Sequence, residues 1–153
     1  MIQDHATVPR AVLSSAIQIV TDVYRPLGIG IVWIEAPLQQ SGITKVYLRI
    51  LPRTGGRDGD GRMLGIDAPA GPDAREHLAH ILYRRIEDDI MTSNALAYVM
   101  ARLIGGALRS PDALSRPTLV YADRHTARQM VKGASVFGAR EAEAIRKGAA
   151  VAP

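Results

Sequence analysis

Residues 92–108 read TSNALAYVMARLIGGAL. Leu96, Val99, Met100, Leu103, Ile104, Ala107 and Leu108 recur at three- and four-residue spacing, which gathers them on one helical face. Thr92 or Ser93 offers a capping hydroxyl at the start. Pro111 lies just past the end, where a helix must stop. No other stretch of the chain carries so strong a helical period, and the remaining segments are read as elements that pack around it. The pattern expects Leu96, Met100, Leu103 and Ala107 to point inward. It expects Arg102 and Gly106, four residues apart, on the more exposed side.

Working outward, Val8 and Pro9 open a first helix, since proline suits an early helical position. Val12, Ile19 and Val23 recur at helical spacing, as do Ala16 and Val20. The helix stops before Pro26, because proline disfavours helical geometry in the residue before it. Residues 30–35, GIVWIE, are rich in β-branched and aromatic side chains and predict a strand. Ile43 to Ile50 alternates cleanly, with Val46, Leu48 and Ile50 on one face of a second strand. Met63 to Ile66 is a short strand candidate. His77 to Ile86 fits a strand centred on His80–Tyr83 or the start of a helix, and its period allows both. Leu114 to Asp123 reads as irregular, with a short apolar run at Thr118–Tyr121. A last helix covers Ala139 to Lys147, acidic early (Glu141, Glu143) and basic late (Arg146, Lys147), in agreement with the helix dipole.

The chain has 153 residues, 47% hydrophobic and 22% charged. That length supports one domain, 1–153, with a substantial core. No apolar run approaches the roughly 18 residues that span a bilayer. The absence of cysteine excludes disulfides, thiolate chemistry and cysteine-type zinc sites. The opening residues lack the basic-then-apolar layout of a signal peptide, so a cytoplasmic location is the default expectation. The net charge is +4, and 16 of the 19 basic residues are arginine. They are scattered and aromatics make up 5%, which argues against a nucleic-acid binder, whose basic residues cluster and interleave with aromatics. An anionic-surface or nucleic-acid binder remains as an alternative resting on charge.

The order of elements resembles the small bacterial zincin-like metallopeptidases. "VPRAVLSSAIQIVTDVYRPLGIGIVWIEAP" looks like their opening helix followed by an edge strand containing a Trp. "VYLRILPR" looks like their second strand. "MLGIDAPAG" and "HILYRRIEDDI" resemble the strands before the active-site helix, and "EAEAIRKGAA" resembles their closing helix. The resemblance implies an α+β, zincin-like fold: a small mixed β-sheet packed on an N-terminal helix and a central, formerly active-site, helix, with a C-terminal helix.

The family's chemistry needs His-Glu-x-x-His on that central helix. Two His at i and i+4 grip one zinc ion, and the Glu activates the metal-bound water. In the matching stretch, Arg102 and Gly106 stand in place of the two His, and Leu103 in place of the general base. The third ligand aligns with Leu114, just ahead of Ser115. Arginine keeps its proton and has no lone pair to lend. Gly106 and Leu114 offer no ligand, and Leu103 cannot accept a proton. The resemblance therefore implies a degenerate member: a catalytically inactive pseudo-metallopeptidase with a binding or regulatory role toward an unidentified protein or peptide. Zinc is the cofactor of the family, but these residues do not support it, and no other cofactor is called for. Arg102, Leu103, Gly106, Leu114 and Tyr121 would line a vestigial cleft. There, Arg102 either holds an anionic group such as a peptide carboxylate or simply pairs with an acid.

Other templates are weaker. Thr54 to Arg62 has the glycines and aspartates of a calcium loop or phosphate cradle but lacks the remaining ligands of either, and reads as an exposed connection. Glu87, Asp88 and Asp89 read as helix N-terminal charge, with Arg84 and Arg85 as partners. A relocated metal-dependent hydrolase near His77 and His80, with Glu76 and His125, is the enzymatic alternative. On a strand the odd spacing of His77 and His80 would put them on opposite faces. His5 falls near a terminus expected to be mobile.

Overall fold

The helix that dominates the sequence is also the centre of the molecule. In the computed structural model, which describes residues 1–34, 43–52, 63–69, 76–86, 92–109, 118–121 and 136–150, it spans Thr92–Ala107 (α2). The other elements are strand β1 (Ile2–Asp4), helix α1 (Arg10–Tyr24), strands β2 (Lys45–Leu51), β3 (Met63–Pro69), β4 (Glu76–Leu82) and β5 (Thr118–Tyr121), and helix α3 (Ala139–Ala150). The fold is mixed α+β. Its five strands form one sheet in the order β1-β2-β4-β3-β5. β1, β2 and β4 run parallel, while β3 is antiparallel to both β4 and β5.

Alternation decides which face of the sheet meets α2. Leu48 and Ile50 of β2, Ala79 and Ile81 of β4, and Val120 of β5 are buried. Gly65 of β3 faces α2 so closely that a methyl there would lie 3.0 Å from both Leu103 Cδ1 and Val99 Cγ1. Leu96, Met100 and Leu103 are fully buried, each worth about 1.5–3 kcal/mol of transfer free energy. The inward set expected from the period is therefore inward, Ala107 included.

α2 is also covered on its far side. Ala16, Val20 and Tyr24 form the buried stripe of α1. The Tyr24 hydroxyl donates a 2.7 Å hydrogen bond to the Ala101 carbonyl. Burial drives its phenol pKa well above the ordinary value, against the opposing pull of the Arg102 and Arg109 charges. The Tyr24 and Phe137 rings meet at 5.7 Å between centroids, so α1, α2 and the turn before α3 share one junction. Gly105 permits that closeness, since a methyl there would sit 2.8 Å from the Phe137 ring and 3.1 Å from Ile145 of α3.

Three sequence expectations are corrected. Residues 30–34 are not a strand; Glu35 lies outside the described residues. The edge of β2 they would pair with is taken by the first residues of the chain. Ile2 sits opposite Leu48 and Asp4 opposite Ile50, and the Leu48 amide donates to the Met1 carbonyl at 2.8 Å. Segment 30–34 leans on α1 instead, where Trp33 Nε1 donates to Thr21 Oγ1 at 3.0 Å. The opening residues, expected to be mobile, are an ordered edge strand, and even the His5 amide donates to the Ile50 carbonyl at 2.9 Å. Thr118–Tyr121, read within an irregular stretch, is the strand opposite β1 at the other end of the sheet order. The segment 77–86, open to two readings, is strand through Leu82 and then one short 3-10 turn.

Candidate functional site

The α3 flank of α2 carries the main polar cluster. Arg102 and Arg109, two turns apart, reach the same carboxylate, Glu141 in the first turn of α3. Arg102 Nη1 donates to Oε1 at 3.0 Å and to Oε2 at 2.9 Å. Arg109 Nη2 donates to Oε1 at 2.8 Å, and the Gly138 amide donates to Oε2 at 3.3 Å. The Arg102 guanidinium also lies 5.7 Å from the centre of the Phe137 ring, within cation–π range. Burial acts to raise the Glu141 pKa. The Arg102 hydrogen bond and charge, the Gly138 amide and the Arg109 charge outweigh it and hold the carboxyl below its ordinary value.

Arg102 and Gly106 were expected on the more exposed side of the helix. Arg102, half-buried, is the one position between Val99 and Ala107 that is not buried, but Gly106 is buried. The reason is tertiary: α3 covers the Arg102 flank, and β5 covers Gly106. A Cβ at Gly106 would collide with the Thr118 side chain. Leu103 lies on the sheet side against Gly65. Tyr121 is 48% exposed while its neighbour Val120 is buried, so Tyr121 projects from the opposite face of the sheet. Arg102, Leu103, Gly106 and Tyr121 therefore line no common opening. Leu114 and Ser115 lie outside the described residues, as do the glycine-rich loop 54–62, Glu87, Asp88, Asp89 and His125.

The positions aligned with a zinc-binding motif do not fit the ion. The Arg102 guanidinium is cationic and occupied by Glu141, Leu103 is packed in hydrocarbon, and Gly106 has no side chain and no space for one. His77 and His80 are not brought together either. His77 is fully buried on the core face of β4, and His80 is half-exposed on the other face. Burial, then the Arg49 charge, lowers the His80 pKa. Glu76, on the His80 face, receives Lys45 at 3.2 Å. His77 Nδ1 lies 3.4 Å from Oδ2 of Asp67, itself 4% exposed at the side chain. This buried polar pair across β3 and β4 escaped sequence reading. The signal was there: Asp67 interrupts an otherwise apolar core-facing alternation, Gly65 to Asp67, opposite Thr118. Among the described residues, Asp67 Oδ1 has no hydrogen-bond partner, and no three His, Asp or Glu side chains gather at one point.

On another flank of α2, a cavity of about 300 Å³ opens between segment 30–34, the start of β2 and the helix end. Ile31, Trp33, Val46, Ile104 and Leu108 line it. Two charged groups also line it, and both are engaged: Lys45 pairs with Glu76 at 3.2 Å, and the Met1 amine donates to the Val46 carbonyl at 2.9 Å. Among the described residues, no helix is long and apolar enough to cross a membrane. No protein-family model, no curated protein and no solved structure matches this chain.

Proposed function

We propose that this protein is a non-catalytic, zincin-like binding or regulatory protein, a pseudo-metallopeptidase whose partner is a protein or peptide. The observation that carries the reading is the employment of the motif positions. Arg102 holds α3 through Glu141, while Leu103 and Gly106 are part of the contact between α2 and the sheet. Side chains committed to packing cannot also activate water, and none of the three has a lone pair suited to zinc. The order of elements supports the family part of the reading. Hydrolysis would need a base and an electrophile at these positions, and neither residue type is there.

The test is metal uptake combined with turnover. The purified protein is equilibrated with micromolar zinc, dialysed, and analysed for bound metal, then assayed on a quenched-peptide mixture. The expected result is substoichiometric zinc and no cleavage above buffer. One equivalent of retained zinc, with cleavage abolished by chelator, overturns the proposal. Restoring His at 102 and 106 with Glu at 103 is a poor alternative, because the structure has no room for a side chain at Gly106 beside Thr118.

A further inference from the structure

We infer that the cavity between segment 30–34, the start of β2 and the end of α2 is a binding site for a small, uncharged, hydrocarbon-rich molecule. This site goes beyond the pseudo-metallopeptidase reading and does not depend on whether zinc is bound. The hollow measures about 300 Å³, at the small end of the roughly 300–1,000 Å³ of ligand pockets. Native interiors leave few voids larger than a water molecule, so a hollow of this size is not ordinary packing. It has a structural cause. β1 takes the edge of β2 from Leu48 to Ile50, and Trp33 ties segment 30–34 to α1, so neither element fills the space between the start of β2 and the end of α2. A methyl added at Gly30, on the wall, would meet nothing within 4 Å.

The walls choose the ligand. Val46 and Leu48 lie on the face of β2 that meets α2, and Ile104 and Leu108 face them from the helix end. Trp33 Nε1 is taken up by Thr21 Oγ1, so the ring is left for apolar contact. Lys45 sits on the other side of β2 from Val46 and is tied to Glu76. The Met1 amine donates to the Val46 carbonyl, and burial lowers its pKa, so this wall disfavours charge. A carboxylate would need a cation not already engaged. Water needs two to four polar partners to settle in a buried site, whereas an apolar cavity of about 150 Å³ stays dry and takes up benzene. Twice that volume sets the ligand at about ten heavy atoms. Among the described residues four large apolar side chains are exposed, and two of them, Val32 at 78% and Ile43 at 38%, line this cavity. They carry the hydrocarbon surface out to the mouth.

Trp33 is the single tryptophan of the chain, so its fluorescence reports on this cavity. The experiment titrates the protein with phenylethanol, phenylacetate and phenethylammonium, three probes of similar size and different charge, and follows the Trp33 emission. The expected result is a saturable, one-to-one change with phenylethanol at a Kd below about 1 mM, within reach of a ligand this small. Both ions should bind at least about tenfold more weakly, because a charge taken into hydrocarbon is penalised. Val46→Phe and Leu108→Phe each place carbon in the hollow. Each should weaken phenylethanol binding at least about tenfold and leave the melting temperature unchanged or raised, since filling a void is tolerated where crowding a packed core is not. Either variant decides the matter if the other fails to fold. A response that never saturates in the parent protein, as surface adsorption or a hollow closed by the chain itself would give, overturns the inference. Affinity unchanged in a folded filling variant overturns it too, and so does phenylacetate binding as tightly as phenylethanol. Zinc retention in the preceding test would refute the non-catalytic reading without altering this titration, so the two can fail separately.

Discussion

The two flanks of α2 are built from opposite materials. Toward the sheet, Val99, Leu103 and Gly106 meet Gly65 and Thr118 with no room for an added methyl at either glycine. Toward α3, Arg102, Gly105 and Arg109 meet Phe137, Ile145 and a carboxylate that solvent still reaches. The dry flank is held by close packing, where any change in volume or charge is felt in full. The ionic flank is held by directional bonds that water and salt partly replace. One helix thus has an intolerant side and an adjustable side.

The sharpest way to break this contrast is Leu103→Glu. It drives a carboxylate into hydrocarbon and should remove about 4 kcal/mol or more, or prevent folding; thermal unfolding by circular dichroism measures it. An unchanged melting temperature would mean the sheet flank is not packed as described. Gly106→Val should come next, at about 2–3 kcal/mol, because overpacking forces β5 away from the helix. Thr118→Gly in the same chain should recover part of that loss, which a double-mutant cycle reads directly.

On the ionic flank the effects are smaller. Glu141→Gln should cost about 1 kcal/mol, discounted for its partial exposure. Its pH dependence has a definite sign. The folded Glu141 pKa lies below the ordinary 4.5. Its contribution is therefore fully present above pH 4.5 and is lost as pH falls through the folded value. Denaturant midpoints between pH 6 and pH 3 should fall more steeply for the parent than for Glu141→Gln. His80, on the outer face of the sheet, gives the smallest effect. Its pKa is lowered from 6.5, so the unfolded chain takes up its proton first, and stability declines as pH drops from above 6.5 through the folded value. His80→Gln should flatten that slope, and equal slopes in both proteins would show that His80 is not desolvated.

Much of this architecture was legible beforehand where one element carries its own signal. The spacing of Leu96, Met100 and Leu103 marked α2 and its inward face. The alternation of Val46, Leu48 and Ile50 marked β2. The acid-to-base order of residues 141–147 marked α3. What misled was propensity read without its partner. Ile31, Val32, Trp33 and Ile34 have strand character, yet β2 is already paired with Ile2–Asp4, and no local property of either segment reveals which one takes the edge. The site was half legible in the same sense. That Arg102 pairs with an acid was one of two readings for it, but Glu141 lies 39 residues away. The Asp67–His77 pair was missed because the β3 candidate was read only to Ile66, and the two residues meet diagonally across β3 and β4, with Asp67 opposite Ala79 and His77 opposite Pro69.

By itself, the sequence determined the helical and strand periods and the donor chemistry at residues 102, 103 and 106. Both are properties of individual side chains and their near neighbours. Only the tertiary structure decided that Arg102 is sheathed by α3, that Gly106 is walled in by Thr118, and that two arginines share one carboxylate. Those facts depend on which distant segments meet, and that is governed by the summed burial of the whole core, Val8 to Ile145, not by the preference of any one stretch.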